Sequence, residues 1–317
     1  MNHPTVTVVC LSYQHREFVE EALNSVFTQT YQPIELIVVD DASTDRSQER
    51  IREVLKDKPA VRFIANQVNQ GNCKAFNSAL SYASGKYIID LAADDVMYPD
   101  RIEQQVQLFE SLSEEYAVVF SDTHFINEAG DRIGETFYKR NREGVLEEKV
   151  PSGNIYTRLL QNPPMISPPT QMFRTAVLKA IGGYDASLSY EDYDFWVRTG
   201  KYYKYAFLDS VTTAKRELPY SHGKAFYNKR RNQHLWSTLK VSRKAQSQNE
   251  LNEENKALAK SVRYHIRLAF FTENFEVGEE FAKLLKELED LTPMDRLFVG
   301  MLAVKLPLNW FYSKIRG

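Results

Sequence analysis

The chain has 317 residues and a net charge of -2, which allows one large domain with an appendage or two modest ones and supplies no overall field to attract nucleic acid. Two cysteines, Cys10 and Cys73, stand far apart, which argues for a reducing compartment and against a disulfide framework. No run of about 18 uncharged apolar residues is present to span a bilayer, and no basic segment precedes an apolar core at the N-terminus. A cytoplasmic protein, or one held at the inner face of a membrane, is expected.

Residues 5–11 (TVTVVCL) form an apolar, β-branched run, the pattern of a strand covered on both faces. Phe18, Ala22 and Val26, with Val19, Leu23 and Phe27, recur at helical spacing and predict a helix over 17–28. A strand is expected at 34–39, a helix at 43–55 with Ser43 or Thr44 as its N-cap, and a strand at 61–65. A helix over 72–82 breaks at Gly85, a strand follows at 87–91, Pro99 opens a helix over 100–112, and a strand follows at 117–121. Strands separated by helices of this length predict a parallel sheet with right-handed crossovers. Beyond residue 122 the alternation fails. Residues 123–168 are rich in glycine and proline and are expected to be irregular, with short strands that wall an acceptor site. A strand at 169–173, a helix at 174–181, a turn at Gly182-Gly183-Tyr184-Asp185 and a helix at 193–199 are expected next. Residues 224–290 read as mostly helical.

Two acidic doublets stand just after predicted strands: Asp40–Asp41 and Asp94–Asp95. Adjacent carboxylates repel each other in water. They belong together at the carboxyl edge of a sheet if a divalent cation, or a ligand rich in N–H and O–H donors, sits between the doublets. A nucleoside diphosphate held through a metal fits that description. The alternative for Asp40–Asp41 is capping of the helix that follows.

The segment TVTVVCLSYQHREFVEEALNSVFTQTYQPIELIVVDDASTD resembles the N-terminal signature of family 2 glycosyltransferases. So do Asn69, Gly71, Ala75 and Asn77 at their spacing, followed by Ala83, Gly85, Lys86, Asp94–Asp95 and Pro99. The Gly182-Gly183-Tyr184-Asp185 turn, with Glu191-Asp192-Tyr193-Asp194-Phe195-Trp196 and Arg198 after it, completes the resemblance, which covers roughly residues 5–222.

The resemblance implies a GT-A-type α/β fold: a nucleotide-binding catalytic domain with a mostly parallel central sheet over 1–222, and a helical C-terminal extension over 223–317. It implies an inverting, metal-dependent glycosyltransferase that moves one sugar from a nucleoside-diphosphate sugar, UDP-linked, to the hydroxyl of a glycan or lipid-linked acceptor in surface polysaccharide synthesis. Carried over by position, Asp41 resembles the residue that accepts from the nucleotide base, and Asp40 orients the turn or reaches the ribose. Leu11 and Tyr13 flank the nucleotide. Asn69 shapes a tight loop and Lys74 faces the diphosphate. Asp95 is the direct ligand of Mn²⁺ or Mg²⁺, with Asp94 on the ribose or a metal-bound water. Ala92 occupies the first acidic position of the family's metal motif, so the site has one carboxylate fewer than the common form. Asp192 matches the general base, and Glu191 beside it raises the local negative potential.

Trp196 stacks on a sugar or belongs to the core. Arg216 contacts a phosphate or pairs with an acid, and the histidine expected near it is replaced by Leu218, with His222 as a substitute ligand or a plain surface residue. Gln233-His234-Leu235-Trp236 only partly matches the motif of processive members, so one sugar per encounter is expected. Ala92 and Leu218 favour the alternative of a degenerate GT-A domain that binds glycan or scaffolds a complex. Finally, residues 291–317 combine an apolar stripe with Trp310, Phe311, Tyr312, Lys314 and Arg316, the composition of an in-plane membrane anchor or of a helix packed on protein.

Overall fold

In the computed structural model, β1 (Val6–Ser12) is buried at all seven positions, as an unbroken apolar run requires. It lies between β2 (Ile34–Asp40) and β4 (Tyr87–Ala92), parallel to both, and β3 (Arg62–Ala65) extends the sheet beyond β2, also in parallel. The intervening helices α1 (Val19–Phe27), α2 (Ser47–Val54), α3 (Asn72–Leu80) and α4 (Arg101–Ser111) are the expected crossovers. Val8, Cys10, Val38, Ile89 and Leu91 from the strands pack with Val19 and Leu23 of α1 and with Ile102 and Phe109 of α4 to make the main core. The model describes residues 3–161, 165–219 and 222–307.

The chain divides into two compact units. Unit one, Met1–Ile155 with Ile166–Ala186 and Tyr202–Leu218, contains the whole sheet, whose strand order is β3-β2-β1-β4-β8-β6-β9-β5 with β7 beside β6. The two-residue β5 (Val96–Met97) follows β4. β6 (Tyr116–Ile126) runs five residues past the expected end and is met by β7 (Arg132–Thr136), a short strand of the glycine-rich segment. β8 (Met172–Arg174) joins β4 to β6 antiparallel to both, and β9 (Lys204–Arg216) lies parallel to β6 along most of its length. The expected strand at 169–173 begins as a 3-10 turn over Pro168–Thr170, as consecutive prolines dictate.

Unit two, Tyr156–Met165, Ser187–Lys201 and Pro219–Gly317, is helical. A single boundary at 222 is therefore not what the chain draws: two earlier stretches belong with the C-terminal helices. These stretches carry α5 (Tyr156–Gln161) and α7 (Asp192–Gly200); α6 (Thr175–Ala180) belongs to unit one. After the short α8 (His222–Ala225) come α9 (Gln233–Gln248), α10 (Asn252–Phe271), α11 (Phe275–Leu288) and α12 (Pro293–Ala303). Asn232 caps α9, its side chain accepting from His234 N and Leu235 N, and Thr292 with Asp295 forms a capping box on α12. Tyr156 Oη donates to Asn249 Oδ1 at 2.7 Å, and Lys201 Nζ to Glu254 Oε1 at 2.5 Å, tying the earlier stretches to α9 and α10.

Candidate functional site

Register decides where the acidic doublets emerge. Leu11 is level with Val39 on one side and Ala92 on the other, and Ser12 is level with Asp40. Because β1, β2 and β4 are parallel, Asp40–Asp41 and Asp94–Asp95 leave the sheet at the same carboxyl edge, the ligand-binding edge of open α/β sheets.

Asp40 is fully buried and held in place. Its Oδ1 accepts from Ser43 N at 2.9 Å and its Oδ2 from Ser43 Oγ at 2.6 Å and Ser12 Oγ at 3.1 Å. It shapes the turn after β2. Ser43 is thus occupied with Asp40 and does not cap α2, which starts later, after Arg46 in the left-handed region (φ 70°). Asp41 reaches the other way. It accepts from Asn66 Nδ2 at 2.8 Å, from Gln70 N at 3.0 Å and from Gly71 N at 2.8 Å. These charge-assisted bonds hold the 66–71 loop against the sheet edge. Asn69 Oδ1 accepts from Gly71 N at 3.1 Å inside that loop, and Gly71 takes the positive φ (85°) that the turn needs. Lys74 follows on α3 with its side chain exposed, Leu11 is buried and Tyr13 is exposed.

At the end of β4, Asp95 is buried and its Oδ1 accepts from Arg216 N at 2.9 Å. Burial, and then the neighbouring Asp94 carboxylate, push the Asp95 carboxyl well above the ordinary range; the bond from Arg216 and the nearby Lys215 and Arg101 pull it back. Asp94 is half-buried, with His15 Nε2 3.8 Å from its Oδ2. His15 Nδ1 is buried and has no hydrogen-bond partner among the described residues. Nothing in the sequence distinguishes His15 except its place two residues after Tyr13; the loop that aims it is fixed by His15 N donating to Ser47 Oγ at 3.1 Å and Gln14 N to Ser43 Oγ at 2.9 Å.

Arg216 is buried, and its guanidinium donates to four protein acceptors. Nε donates to the Asp94 carbonyl at 3.0 Å, Nη1 to the carbonyls of Asn127 and Glu128 at 2.8 and 2.9 Å, and Nη2 to Glu21 Oε2 at 2.5 Å. Leu218 is buried as well. Ser221 and the side chain of His222 lie outside the described residues.

Among the described residues no three His, Cys, Asp or Glu side chains are grouped to hold a metal ion. Two adjacent carboxylates at the sheet edge do not make an all-protein cage. They suit a hard cation that takes its remaining ligands from a diphosphate and water, as Mg²⁺ and Mn²⁺ do.

Asp192 lies in the helical unit, in the first turn of α7, where its Oδ1 accepts from Tyr193 N at 2.7 Å. Glu191 precedes it at the N-cap and offers no side-chain cap bond. Asp194 is fully buried, taking Arg198 Nε at 2.7 Å and Lys244 Nζ at 2.5 Å, so Arg198 is an ion-pair partner inside this unit. Trp196 is only 2% exposed, which gives it to the core and leaves no ring face for a sugar. Tyr193 is likewise buried.

The Gly182-Gly183-Tyr184-Asp185 turn has a structural function. Asn77 Nδ2 donates to the Tyr184 carbonyl at 2.7 Å and Asn77 Oδ1 accepts from Tyr184 N at 2.8 Å, while Phe76 and Tyr184 pack ring on ring at 4.4 Å. One motif residue therefore docks a turn more than a hundred positions away.

Comparison with known proteins gives a consistent result. The model of the family described as "Glycosyl transferase family 2" matches residues 7–182. An uncharacterized glycosyltransferase of Methanocaldococcus jannaschii is 29% identical over 200 residues, covering 62% of this chain and 65% of that protein. An uncharacterized glycosyltransferase of Haemophilus influenzae is 34% identical over 109 residues, 34% of each chain. The chain thus spans 34–65% of the length of these two relatives. Among solved structures, TarS 1-349 of S. aureus in complex with UDP-GlcNAc aligns with a TM-score of 0.73 at 18% identity, covering 98% of this chain and 92% of that one. The mannosyltransferase PcManGT of Pyrobaculum calidifontis, in complex with GDP-Man and Mn²⁺, aligns with a TM-score of 0.59 at 16% identity, covering 96% and 86%. These structural likenesses establish the GT-A fold.

Proposed function

This chain belongs to glycosyl transferase family 2, and on that premise we propose that it moves one sugar from a UDP-linked donor to a hydroxyl of a glycan or lipid-linked acceptor, with inversion. The observation that carries this reading is the exit of Asp40–Asp41 and Asp94–Asp95 at one sheet edge, from the parallel strands β2 and β4 that flank β1. The UDP-GlcNAc named with TarS supports the choice of nucleotide, and the Mn²⁺ named with PcManGT supports a divalent cation.

In this reading the 66–71 loop, held by Asp41, and the exposed Tyr13 border the nucleotide, and Lys74 meets the diphosphate. Asp95 would hold Mn²⁺ or Mg²⁺ together with the donor, with Asp94 on the ribose or a metal-bound water. When bound, such a cation neutralises charge on the departing diphosphate. Asp192 accepts the proton of the attacking acceptor hydroxyl as the new bond to the anomeric carbon forms and the diphosphate leaves with the electron pair of the old one. Glu191 beside Asp192 raises the local negative potential. The acceptor belongs to surface polysaccharide synthesis.

The test is thermal shift of the full chain with UDP, GDP and their sugars, with and without Mn²⁺, followed by a transfer assay. A ligand that binds only the folded state must raise the melting point. Stabilisation by UDP that grows with Mn²⁺ and turnover of a UDP-sugar are expected. No shift with any nucleotide would remove the donor site, and a shift without turnover that Asp192→Asn leaves unchanged would favour a glycan-binding or scaffolding role, the reading that Ala92 and Leu218 suggest.

A further inference from the structure

The helical unit presents a two-part surface that the transfer chemistry does not use. On α10 every exposed side chain from Lys256 to the end is Lys256, Lys260, Tyr264 or Arg267. The spacing of 4, 4 and 3 residues puts them in one stripe. No exposed acid interrupts it; Glu253 stands a turn earlier and Glu254 is buried against Lys201.

Alongside runs α12. Its inner side is fixed: Arg263 Nε donates to Asp295 at 3.0 Å, Phe298 packs edge-on against Phe270 and Phe271, and a Cβ on Gly278 would sit 2.7 Å from Leu302. Its outer side is apolar apart from the exposed Arg296. Met294 and Leu297 are 58% and 55% exposed, and Val304 just past the helix is 71% exposed. A helix that is apolar on its solvent side is either covered or lies at a lipid interface. Among the described residues no helix is long and apolar enough to cross a membrane.

We infer that the outer face of α12 and the basic stripe of α10 together dock on an anionic lipid bilayer, α12 entering the acyl boundary and Lys256, Lys260 and Arg267 meeting headgroup phosphates. Charge selects this occupant. A cationic stripe bordering an exposed apolar helix is the pairing that anionic membranes bind, each adding to the other. The chain continues past α12 in the same chemical vein, with Lys305, Trp310, Phe311, Tyr312, Lys314 and Arg316 in its sequence. The inference rests on the helical unit alone and stands whether or not the sugar-transfer reading holds; if both hold, the contact brings the chain to a lipid-linked acceptor.

The experiment is flotation of the full chain with phosphatidylcholine vesicles and with phosphatidylcholine–phosphatidylglycerol vesicles at low and high salt. Two double variants are compared with wild type, Met294→Glu/Leu297→Glu and Lys256→Glu/Lys260→Glu, all at exposed positions, with circular dichroism to verify the fold. Wild type is expected to float with the anionic vesicles only, and less so at high salt. Each double variant is expected to lower recovery by about tenfold. Failure of wild type to float, or variants that float equally well, would overturn the inference. So would lipid-free self-association that Leu297→Glu abolishes, since a second copy of the chain would then be what covers α12.

Discussion

Arg216 grips both members of the second acidic doublet: its backbone N–H donates to Asp95 Oδ1 at 2.9 Å and its Nε donates to the Asp94 carbonyl at 3.0 Å. β9 and the end of β4 are thereby locked together at the sheet edge. The same guanidinium holds the carbonyls of Asn127 and Glu128 and lies 4.7 Å above the Phe18 ring. Asp94–Asp95 is therefore a turn fixed at both residues from β9.

Arg216→Ala should lower stability by about 2–4 kcal/mol, because three part-buried carbonyls lose their donor at once. Arg216→Lys should restore only part of this, since one ammonium cannot serve four divergent acceptors. Urea denaturation checks both. In the variants that remain folded, the thermal shift produced by UDP with Mn²⁺ should shrink; an unchanged shift would show that the turn does not serve the donor.

Gly183→Ala should destabilise unit one by about 2 kcal/mol or more. Gly183 has φ 74°, and an added Cβ would lie 2.4 Å from Asn77 Oδ1, the atom that accepts from Tyr184 N. Gly182→Ala is the informative control: it has φ 80° but nothing within 4 Å of its Cβ, so it should cost only the backbone strain. Chemical denaturation of the pair separates conformational strain from the loss of the Asn77 clamp.

Apart from the two-residue β5, the strands and helices up to α4 were legible because each covers its neighbours in a simple alternation, so that pattern and burial coincide. β9 was not. Its sequence, KYAFLDSVTTAKR, mixes buried Tyr205, Thr212 and Thr213 with the exposed Asp209, and it becomes a strand by pairing with β6 and β5, which no local pattern announces. The acidic doublets were legible because charge after an apolar strand is conspicuous. The partners that fix them were not: Arg216 reaches Asp95 from more than a hundred residues away, and Asn66 reaches Asp41 through a loop whose course depends on the fold. Trp196 illustrates the opposite case, an aromatic in a functional-looking motif that the packing claims entirely.

His265 should make the helical unit sensitive to acid. It is buried, its Nδ1 donates to the Ser261 carbonyl at 2.8 Å, and its ring stacks on Phe281 at 5.4 Å. Burial draws its pKa from 6.5 down to about 4. A folded-state pKa below the unfolded one means that the unfolded chain binds the proton more tightly. The contribution is complete above the unfolded value and is lost as pH falls towards the folded one. Unfolding free energy should drop by about 2 kcal/mol between about pH 7 and about pH 5 from this group alone. His265→Phe, with no proton to take up, should flatten that component; a pH profile identical to wild type would show that the acid response arises elsewhere.

Asp192→Asn should separate binding from transfer. Asp192 sits in the first turn of α7, with Glu191 beside it at the N-cap. The amide keeps the shape and can still accept from Tyr193 N, so the turn and the fold should survive. It cannot take a proton from an acceptor hydroxyl. Transfer should therefore fall by about 10²–10⁴-fold, while the UDP-induced thermal shift should stay at the wild-type value if the donor is held, as proposed, at the sheet edge of unit one. Asp194→Asn is the contrasting variant. Asp194 is fully buried between Arg198 and Lys244, so its loss should lower stability by about 3 kcal/mol or more. Transfer that persists in Asp192→Asn at full rate would remove the general base and with it the proton path.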